Sequence, residues 1–261
     1  MSAKTEQRGK RILQLLLQHG SASVDELVAS LGTSAPSVRR DLARLEERNL
    51  VHRTHGGARI AGQMQYEAFR FDSSFHIREA RFVEEKRRIG VAAAELIREH
   101  DTVGFTAGTT PTQVARCIRH RNSINIITNA VNIAMELSNQ PALNVTLTGG
   151  TMRWAGAFSL TGPTAIEMLS GVFMDKAFIG ACGVDVLRGT TNIEPDEAAV
   201  FRAMVRQSKQ VIVVADSSKI GMISPALICP ASEIDILVTD SGIPPEAAEG
   251  FRANGIEVLA V

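Results

Sequence analysis

Apolar residues at the start of the chain recur with the period of an α-helix. Ile12, Leu13, Leu16 and Leu17 form one stripe across residues 5–19, and Gly20 supplies a stop. Val24, Leu27, Val28 and Leu31 form a second, shorter stripe. Ser23 and Glu26 before it have the spacing of a capping box, in which each side chain satisfies the other residue's amide. Gly32 then allows a tight turn. Val38, Leu42 and Leu45 follow at i, i+4 and i+7, preceded by Thr33 or Ser34 as a cap and Pro36 in the first turn. Ser37, Arg39, Arg40 and Arg44 lie off this stripe. Asp41 lies near its edge, where pairing with a neighbouring Arg is expected. The order of helix, short helix, tight turn and basic helix predicts a helix-turn-helix. Residues 51–60 place two extended pieces around Gly56 and Gly57, which predicts a hairpin, or wing, carrying His52, Arg53, His55 and Arg59.

The pattern then changes. Residues 61–79 have no clean period and read as a linker leading toward a helix. Residues 80–100 carry an apolar face of Ile89, Ala92, Ala93, Leu96 and Ile97 behind a charged front at Glu84, Glu85, Lys86, Arg87 and Arg88. Short apolar runs follow at 102–105, 124–127, 144–147, 176–179, 211–215, 234–238 and 257–260. Helical patterns near 111–119, 130–138, 163–170, 195–208 and 244–254 alternate with them. Strands without polar alternation, separated by helices, predict a largely parallel sheet covered on both faces. The expected organisation is therefore a winged helix-turn-helix over 1–60, a linker over 61–79 and an α/β domain over 80–261.

Charge sharpens this division. The chain of 261 residues has 28 Lys/Arg and 28 Asp/Glu, but residues 1–60 hold 10 Lys/Arg against 6 acids. A basic small domain suits double-stranded DNA, whose phosphates dominate affinity and whose guanine edges accept bidentate Arg. Aromatic residues make up 5% of the chain, which disfavours stacking on bases as the binding mode. Cys117, Cys182 and Cys229 have no metal-ligand or redox spacing, so no metal or cofactor is expected. No apolar run is long enough to span a membrane, and the basic start leads into an amphipathic helix. A cytoplasmic protein is expected.

Ligands of open α/β sheets gather where strand ends meet helix starts. Five such tips carry small or polar residues. These are Thr106-Ala107-Gly108-Thr109-Thr110-Pro111, Thr128-Asn129, Thr148-Gly149-Gly150, the stretch from Gly180 to Asp185, and Asp216-Ser217-Ser218-Lys219. Amides and hydroxyls at Gly108, Thr109 and Thr110 could cradle a phosphate. Gly149 and Gly150 would allow close backbone approach.

Ser37-Val38-Arg39-Arg40-Asp41-Leu42, Leu45-Glu46 and Arg53-Thr54-His55-Gly56-Gly57-Ala58 resemble the DNA-binding domain of the DeoR family of bacterial transcription regulators. Glu85-Lys86, Gly108-Thr109-Thr110, Thr128-Asn129, Gly149-Gly150, Phe178-Ile179-Gly180 and Asp216-Ser217-Ser218-Lys219 resemble that family's effector-sensing domain. The resemblance implies operator DNA contacts from Ser34, Ser37, Arg39, Arg40, Arg44, Arg53, His55 and Gly56. It also implies a fold similar to ribose-5-phosphate isomerase and glucosamine-6-phosphate deaminase, and a phosphorylated sugar as effector. Gly108, Thr109 and Thr110 would hold its phosphate, and Asp185, Asp216 and Lys219 would line the sugar pocket, with Arg153 and Glu197 as further candidates. Thr106 departs from the family, many of whose members carry Asp there. The expected function is a repressor of a carbohydrate-utilisation operon, acting as a homodimer or homotetramer. The alternative is a sugar-phosphate isomerase or deaminase with a DNA-binding appendage. Isomerases of that fold carry an acid-rich Asp-Gly-Ala-Asp-Glu loop, whereas the comparable stretch here has one carboxylate, Asp185. That difference favours binding without turnover.

Overall fold

A computed structural model describes residues 8, 9, 11, 12, 15, 16, 21–47, 51–54, 56–60, 75–138, 140–153 and 158–261. The chain divides into two compact units, Met1–Asp72 and Ser73–Val261.

In the first unit, residues 8, 9, 11, 12, 15 and 16 are helical. The rest of the expected first helix and His55 lie outside the described residues. The described elements are β1 (Ser21–Ser23), α1 (Val24–Leu31), α2 (Ala35–Glu47), β2 (Val51–Thr54) and β3 (Gly57–Ile60). Ser23 and Glu26 form the expected capping box, and Gly32 ends α1 in the left-handed conformation at φ 58°. Ile12, Leu16, Val24, Leu27, Val38, Leu42 and Leu45 are buried with Val51 and Ala58 in one small core. The hairpin is present, and a strand that the sequence pattern missed joins it: the sheet order is β1-β3-β2, antiparallel throughout. Gly57 explains the fit, because a Cβ there would sit 2.3 Å from the Ala22 carbonyl oxygen. The wing thus packs backbone to backbone, and the Gly56 carbonyl accepts from Val24 N–H at 2.7 Å.

The second unit opens with α3 (Phe75–Ala80) and α4 (Val83–Glu95). The single helix expected over 80–100 is therefore shorter, and a separate helix precedes it within the segment read as linker. The break falls at Phe82, whose φ of 54° no continuous helix allows. There follow β4 (Thr102–Phe105), α5 (Thr109–Cys117), β5 (Ile124–Thr128), α6 (Val131–Leu137) and β6 (Leu143–Leu147). Next come β7 (Thr151–Arg153), β8 (Ser159–Thr161), α7 (Pro163–Ser170), β9 (Met174–Ile179), β10 (Gly183–Asp185) and β11 (Gly189–Asn192). The chain closes with α8 (Pro195–Arg206), β12 (Ser208–Val214), β13 (Ala226–Cys229), β14 (Ile236–Thr239), α9 (Pro245–Ala253) and β15 (Glu257–Ala260).

The seven expected strands form one parallel sheet in the order β15-β14-β12-β9-β4-β5-β6. Val103, Gly104 and Phe105 are buried in succession, as are Ala177, Phe178 and Ile179. Successive strand residues point to opposite faces, so both faces are covered. Phe105 and Phe178 face each other across β4 and β9 with rings stacked at 5.2 Å. The sequence pattern missed the β7-β8 hairpin and the antiparallel sheet β10-β11-β13.

Strand order fixes where a ligand can enter. From β4 the chain moves outward through β5 and β6, then returns to place β9 on the other side of β4 and moves outward again. The β4/β9 boundary is thus a topological switch point, and the crevice beyond its C-terminal ends is where such sheets take ligands.

Candidate functional site: a DNA-facing helix and a crevice at the switch point

On α2, Val38, Leu42 and Leu45 face the small core, leaving Arg39, Arg40 and Arg44 exposed. Their local bonds differ. Arg39 has no side-chain partner among the described residues. The Arg40 Nε donates back to the Pro36 carbonyl at 3.3 Å. Arg44 lies 3.7 Å from Asp41, which is 3% exposed and also takes the Arg8 guanidinium. Asp41 thus pairs with arginines, as its place in the stripe implied. Ser34 and Ser37 join hydroxyl to hydroxyl at 3.0 Å, and the Ser34 carbonyl accepts the Ser37 and Val38 amides. In the wing, Arg53 is tied to α2. Its amide donates to Glu46 at 2.9 Å and its guanidinium lies 3.8 Å from the same carboxylate. Gly56 is exposed at φ 93°.

In the second unit the five tips lie on one edge, because all seven strands of the sheet run the same way. Their polar groups fall into two sets. The first is already used by the protein. Thr128 Oγ1 donates to the Phe105 carbonyl at 2.8 Å and accepts Ala130 N–H at 3.0 Å. Asn129, 0% exposed, accepts Ala107 N–H at 3.0 Å and donates to Ser159 Oγ and the Leu160 carbonyl, both at 3.1 Å. These two residues brace the strand ends that shape the crevice. Thr106 acts alike: its hydroxyl accepts Gly180 N–H at 2.8 Å and donates to the Phe178 carbonyl at 3.4 Å, joining β4 to β9 at the switch point.

The close backbone approach expected at Gly149 and Gly150 is made within the protein. A Cβ on Gly150 would sit 2.4 Å from the Thr161 carbonyl oxygen, and one on Gly149 3.0 Å from the Thr164 methyl. Asp185 lies at the end of β10 in the small sheet, where its carboxylate accepts the Leu187 and Arg188 amides at 3.0 and 2.8 Å. It caps a turn. Lys86, expected in a charged front, is 4% exposed. Glu197 is 8% exposed and accepts Asn192 Nδ2 at 3.3 Å, while Asn192 Oδ1 accepts the Cys182 thiol at the β9 tip. The Arg153 side chain lies outside the described residues.

The second set is unused. Thr109 and Thr110 open α5 directly at the switch point and are 8% and 6% exposed. Their hydroxyls have no hydrogen-bond partner among the described residues, and Gly108 before them gives the helix no side-chain cap. Beyond β12, Asp216 is 2% exposed and accepts the Ser218 hydroxyl. Asp240, at the tip of β14, holds this turn by accepting Ser217 N–H at 2.6 Å and Gly242 N–H at 2.9 Å. Burial raises the Asp240 carboxyl, but those amide bonds outweigh it and hold the group below the ordinary carboxylate range. Lys219 stands on the turn with no ion pair among the described residues.

Sequence reasoning missed Asp240 as a part of this region, and it missed the burial of Lys86. Lys86 lies inside a run of charged residues, and burial of one member leaves no mark in the sequence. Its ammonium donates to the Arg78 carbonyl and, at 2.7 Å, to the Arg81 carbonyl. Burial pushes its pKa down, Asp216 opposes that, and Lys219 adds to it. No group of His, Cys, Asp and Glu suited to a metal ion occurs among the described residues. No helix among them is long and apolar enough to cross a membrane.

A winged helix-turn-helix joined to an α/β domain with a polar crevice is the build of a ligand-responsive DNA-binding regulator. The family comparisons agree. Residues 8–64 match the DeoR-like helix-turn-helix domain, and residues 81–241 match the DeoR C terminal sensor domain. The chain belongs to the DeoR family of transcription regulators, a regulatory family and not an enzyme family. It is 37% identical to the HTH-type transcriptional repressor GlcR of Bacillus subtilis, covering 97% of this chain and 95% of that one. It is 31% identical to the glycerol-3-phosphate regulon repressor of Escherichia coli, covering 98% of both chains. Among solved structures, a D-ribose-5-phosphate isomerase in complex with phospho-erythronic acid overlays 53% of this chain and 54% of its own at TM-score 0.40 and 14% identity, a loose likeness.

Proposed function

We propose that this protein is a cytoplasmic repressor of a carbohydrate-utilisation operon, released from its operator by a phosphorylated sugar. Ser34, Ser37, Arg39, Arg40, Arg44, Arg53, His55 and Gly56 form the DNA-facing surface. Arg39, with no internal partner, is the group most available to a guanine edge, whereas Arg53 is a neutralised pair that orients the wing. Two copies, or four, bind together, since one helix reads few bases and operator symmetry mirrors protein symmetry.

The observation that carries the effector reading is the pair of unpartnered hydroxyls at Thr109 and Thr110. Neither oxygen is sealed from solvent, so both are open to a ligand. These two open a helix at the switch point, where free amides and the positive helix end favour an anion. Lys219 supplies a full charge two strands away, roughly 10 Å at ordinary strand spacing, which is comparable to the length of an extended phosphorylated sugar. Gly108 lies against the phosphate, Asp216 and Glu197 suit sugar hydroxyls, and Thr128, Asn129, Gly149 and Gly150 hold the frame. Arg153 remains a candidate for the anion, and Asp185 contributes through its turn. Relatives named for a repressor and for the glycerol-3-phosphate regulon support the repressor reading. The effector acts only through its different affinity for the DNA-competent and released states.

The test uses full-length protein, the duplex it selects from a random pool, and a panel of glycerol 3-phosphate, fructose 1-phosphate, glucosamine 6-phosphate and their unphosphorylated parents. One phosphorylated compound should weaken duplex binding while its parent does nothing. Replacing Lys219 with Met should weaken that compound's binding about tenfold or more and leave compound-free DNA binding intact. An equal response to parent and phosphate would overturn the cradle.

A further inference from the structure

Helix α5 carries the anion cradle at one end and an ion-pair network at the other. Thr109 and Thr110 open it at the switch point, and Arg116 stands in its last turn, about 9 Å further along the axis at 1.5 Å per residue. The Arg116 guanidinium divides its donors between two helices. Nε and Nη2 both reach Glu136 on α6 at 2.8 Å, a bidentate grip that fixes the plane of the group. Nη1 lies 2.7 Å from Glu79 Oε1 on α3. Arg119 adds a second cation to Glu136 at 3.0 Å. Near the crevice α5 and α6 are joined again: Asn132 Nδ2 donates to Thr112 Oγ1 at 3.0 Å, and Thr112 Oγ1 donates to the Gly108 carbonyl at 2.7 Å. These two helices are tied at both ends and form one body. Glu79 Oε1 is sealed from solvent. Water cannot replace Arg116 there while α3 stays in place. A shift of α5 therefore carries Glu79 along or leaves a buried carboxylate oxygen without this cation, which is costly. The start of α3 is anchored elsewhere, since Phe75, 4% exposed, meets Phe158 edge to face at 5.4 Å. In chain order, α3 is the first described element after the DNA-binding unit.

We propose that Arg116 and Glu79 are positioning residues that couple the effector crevice to α3. An anion at Thr109 and Thr110 bonds the free amides that open α5 and draws the helix toward the crevice. Helix α6 follows through Glu136. Helix α3, pinned at Phe75, is pulled at Glu79 and reorients, a small shift of packed helices between two discrete arrangements. This coupling rests on the effector reading given above. It adds the contact by which occupancy reaches the segment that follows the DNA-binding unit. Neither Arg116 nor Glu79 touches the sugar phosphate.

The test uses the full-length chain with inorganic phosphate, glycerol 3-phosphate, fructose 1-phosphate and glucosamine 6-phosphate as probes. The compound that raises the wild-type melting temperature is carried into Glu79→Gln, which keeps the side chain's size and removes its charge. That compound should raise the variant's melting temperature as it does the wild type's. The ratio of DNA affinities without and with it should fall to about 1, from a wild-type factor in the usual range of about 5–150. Arg119→Gln is the control, because it removes a bond to Glu136 and leaves Glu79 paired; its ratio should stay at the wild-type value. A wild-type ratio in Glu79→Gln overturns the proposal. An equal fall in Arg119→Gln also overturns it, since the network would then act only by its contribution to stability. Loss of compound binding in Glu79→Gln does the same, because Glu79 would then shape the site itself. Hydrogen exchange on the wild-type chain gives a readout that needs no variant. The compound should change exchange at the Glu79 and Ala80 amides by about threefold or more, and unchanged exchange there overturns the coupling. If no compound stabilises the wild-type protein, the effector reading itself fails, and the coupling fails with it.

Discussion

The two candidate sites use polar residues in opposite ways. On α2 the candidate arginines are exposed and rest on a core of nine buried apolar residues. At the crevice almost every polar group is buried, and most are bound to their own backbone. On the helix, then, exposure and a free charge mark the residues that can meet DNA. At the crevice the exposure of a whole residue marks nothing, and the informative residues are those whose polar atoms have no partner within the protein. Arg39 and Thr110 illustrate the two criteria, and Arg53 and Asn129 are their tied counterparts.

The largest expected effect comes from the small core. Leu42→Ala should cost the first unit ~2–5 kcal/mol and abolish duplex binding. Scanning calorimetry should show the sensor unit's transition unmoved. Retained DNA binding would mean that the exposed arginines do not depend on that core. Next are the tied and free residues of each site. Asn129→Leu strands Ala107 N–H and the Leu160 carbonyl, each about 1–3 kcal/mol if left unsatisfied, so urea denaturation should show a destabilised sensor unit. Thr110→Val should leave that denaturation curve in place and weaken the phosphorylated compound alone. If the two variants behaved alike, the division into used and unused groups would be wrong. Arg39→Ala should cost ~1–3 kcal/mol in duplex affinity and relax preference at one base pair. Arg53→Ala should cost less, ~0–1 kcal/mol, since an exposed pair is worth little and its backbone bond to Glu46 survives. Equal losses in a binding titration would show that the wing arginine also reads DNA.

The smallest effect concerns pH. Asp240 is held below its ordinary range in the folded protein, so its contribution is present above the unfolded value and is lost as pH falls through the folded one. The sensor unit should therefore weaken below about pH 4, and Asp240→Asn should flatten that loss in urea titrations at stepped pH. An unaltered acid profile would remove Asp240 from the account of how the Lys219 turn is held.

Much of this architecture could be read from periodicity. Buried parallel strands are continuous apolar runs, and all seven of them stood out for that reason. The helix-turn-helix was equally clear, because its stripes, its capping box and Gly32 agree with one another. The antiparallel pieces were hidden by their brevity. Gly183–Asp185 and Gly189–Asn192 are three and four residues long and lack an apolar run, and the third strand of their sheet, β13, lies far off in sequence. The break at Phe82 was hidden as well, since a left-handed aromatic residue has no sequence signature and Lys86 holds the turn from outside. At the crevice, the sequence indicated which residues would gather on one edge. It could not indicate which of them would be used up, because the partners of Asn129 and Thr106 lie far along the chain and are brought near only by the folded sheet.

The central claim is that Thr109, Thr110 and Lys219 form an anion site for a phosphorylated sugar. The most direct measurement is scanning calorimetry of the full-length chain with each phosphorylated compound and its parent. At about 100 times its dissociation constant, a ligand of the folded state adds about 2.7 kcal/mol. The account predicts an upward shift of the sensor unit's transition with one phosphorylated compound, none with its parent, and none in the Thr109→Val/Thr110→Val protein. A shift that persists in that double variant, or that the parent sugar produces equally well, would contradict it.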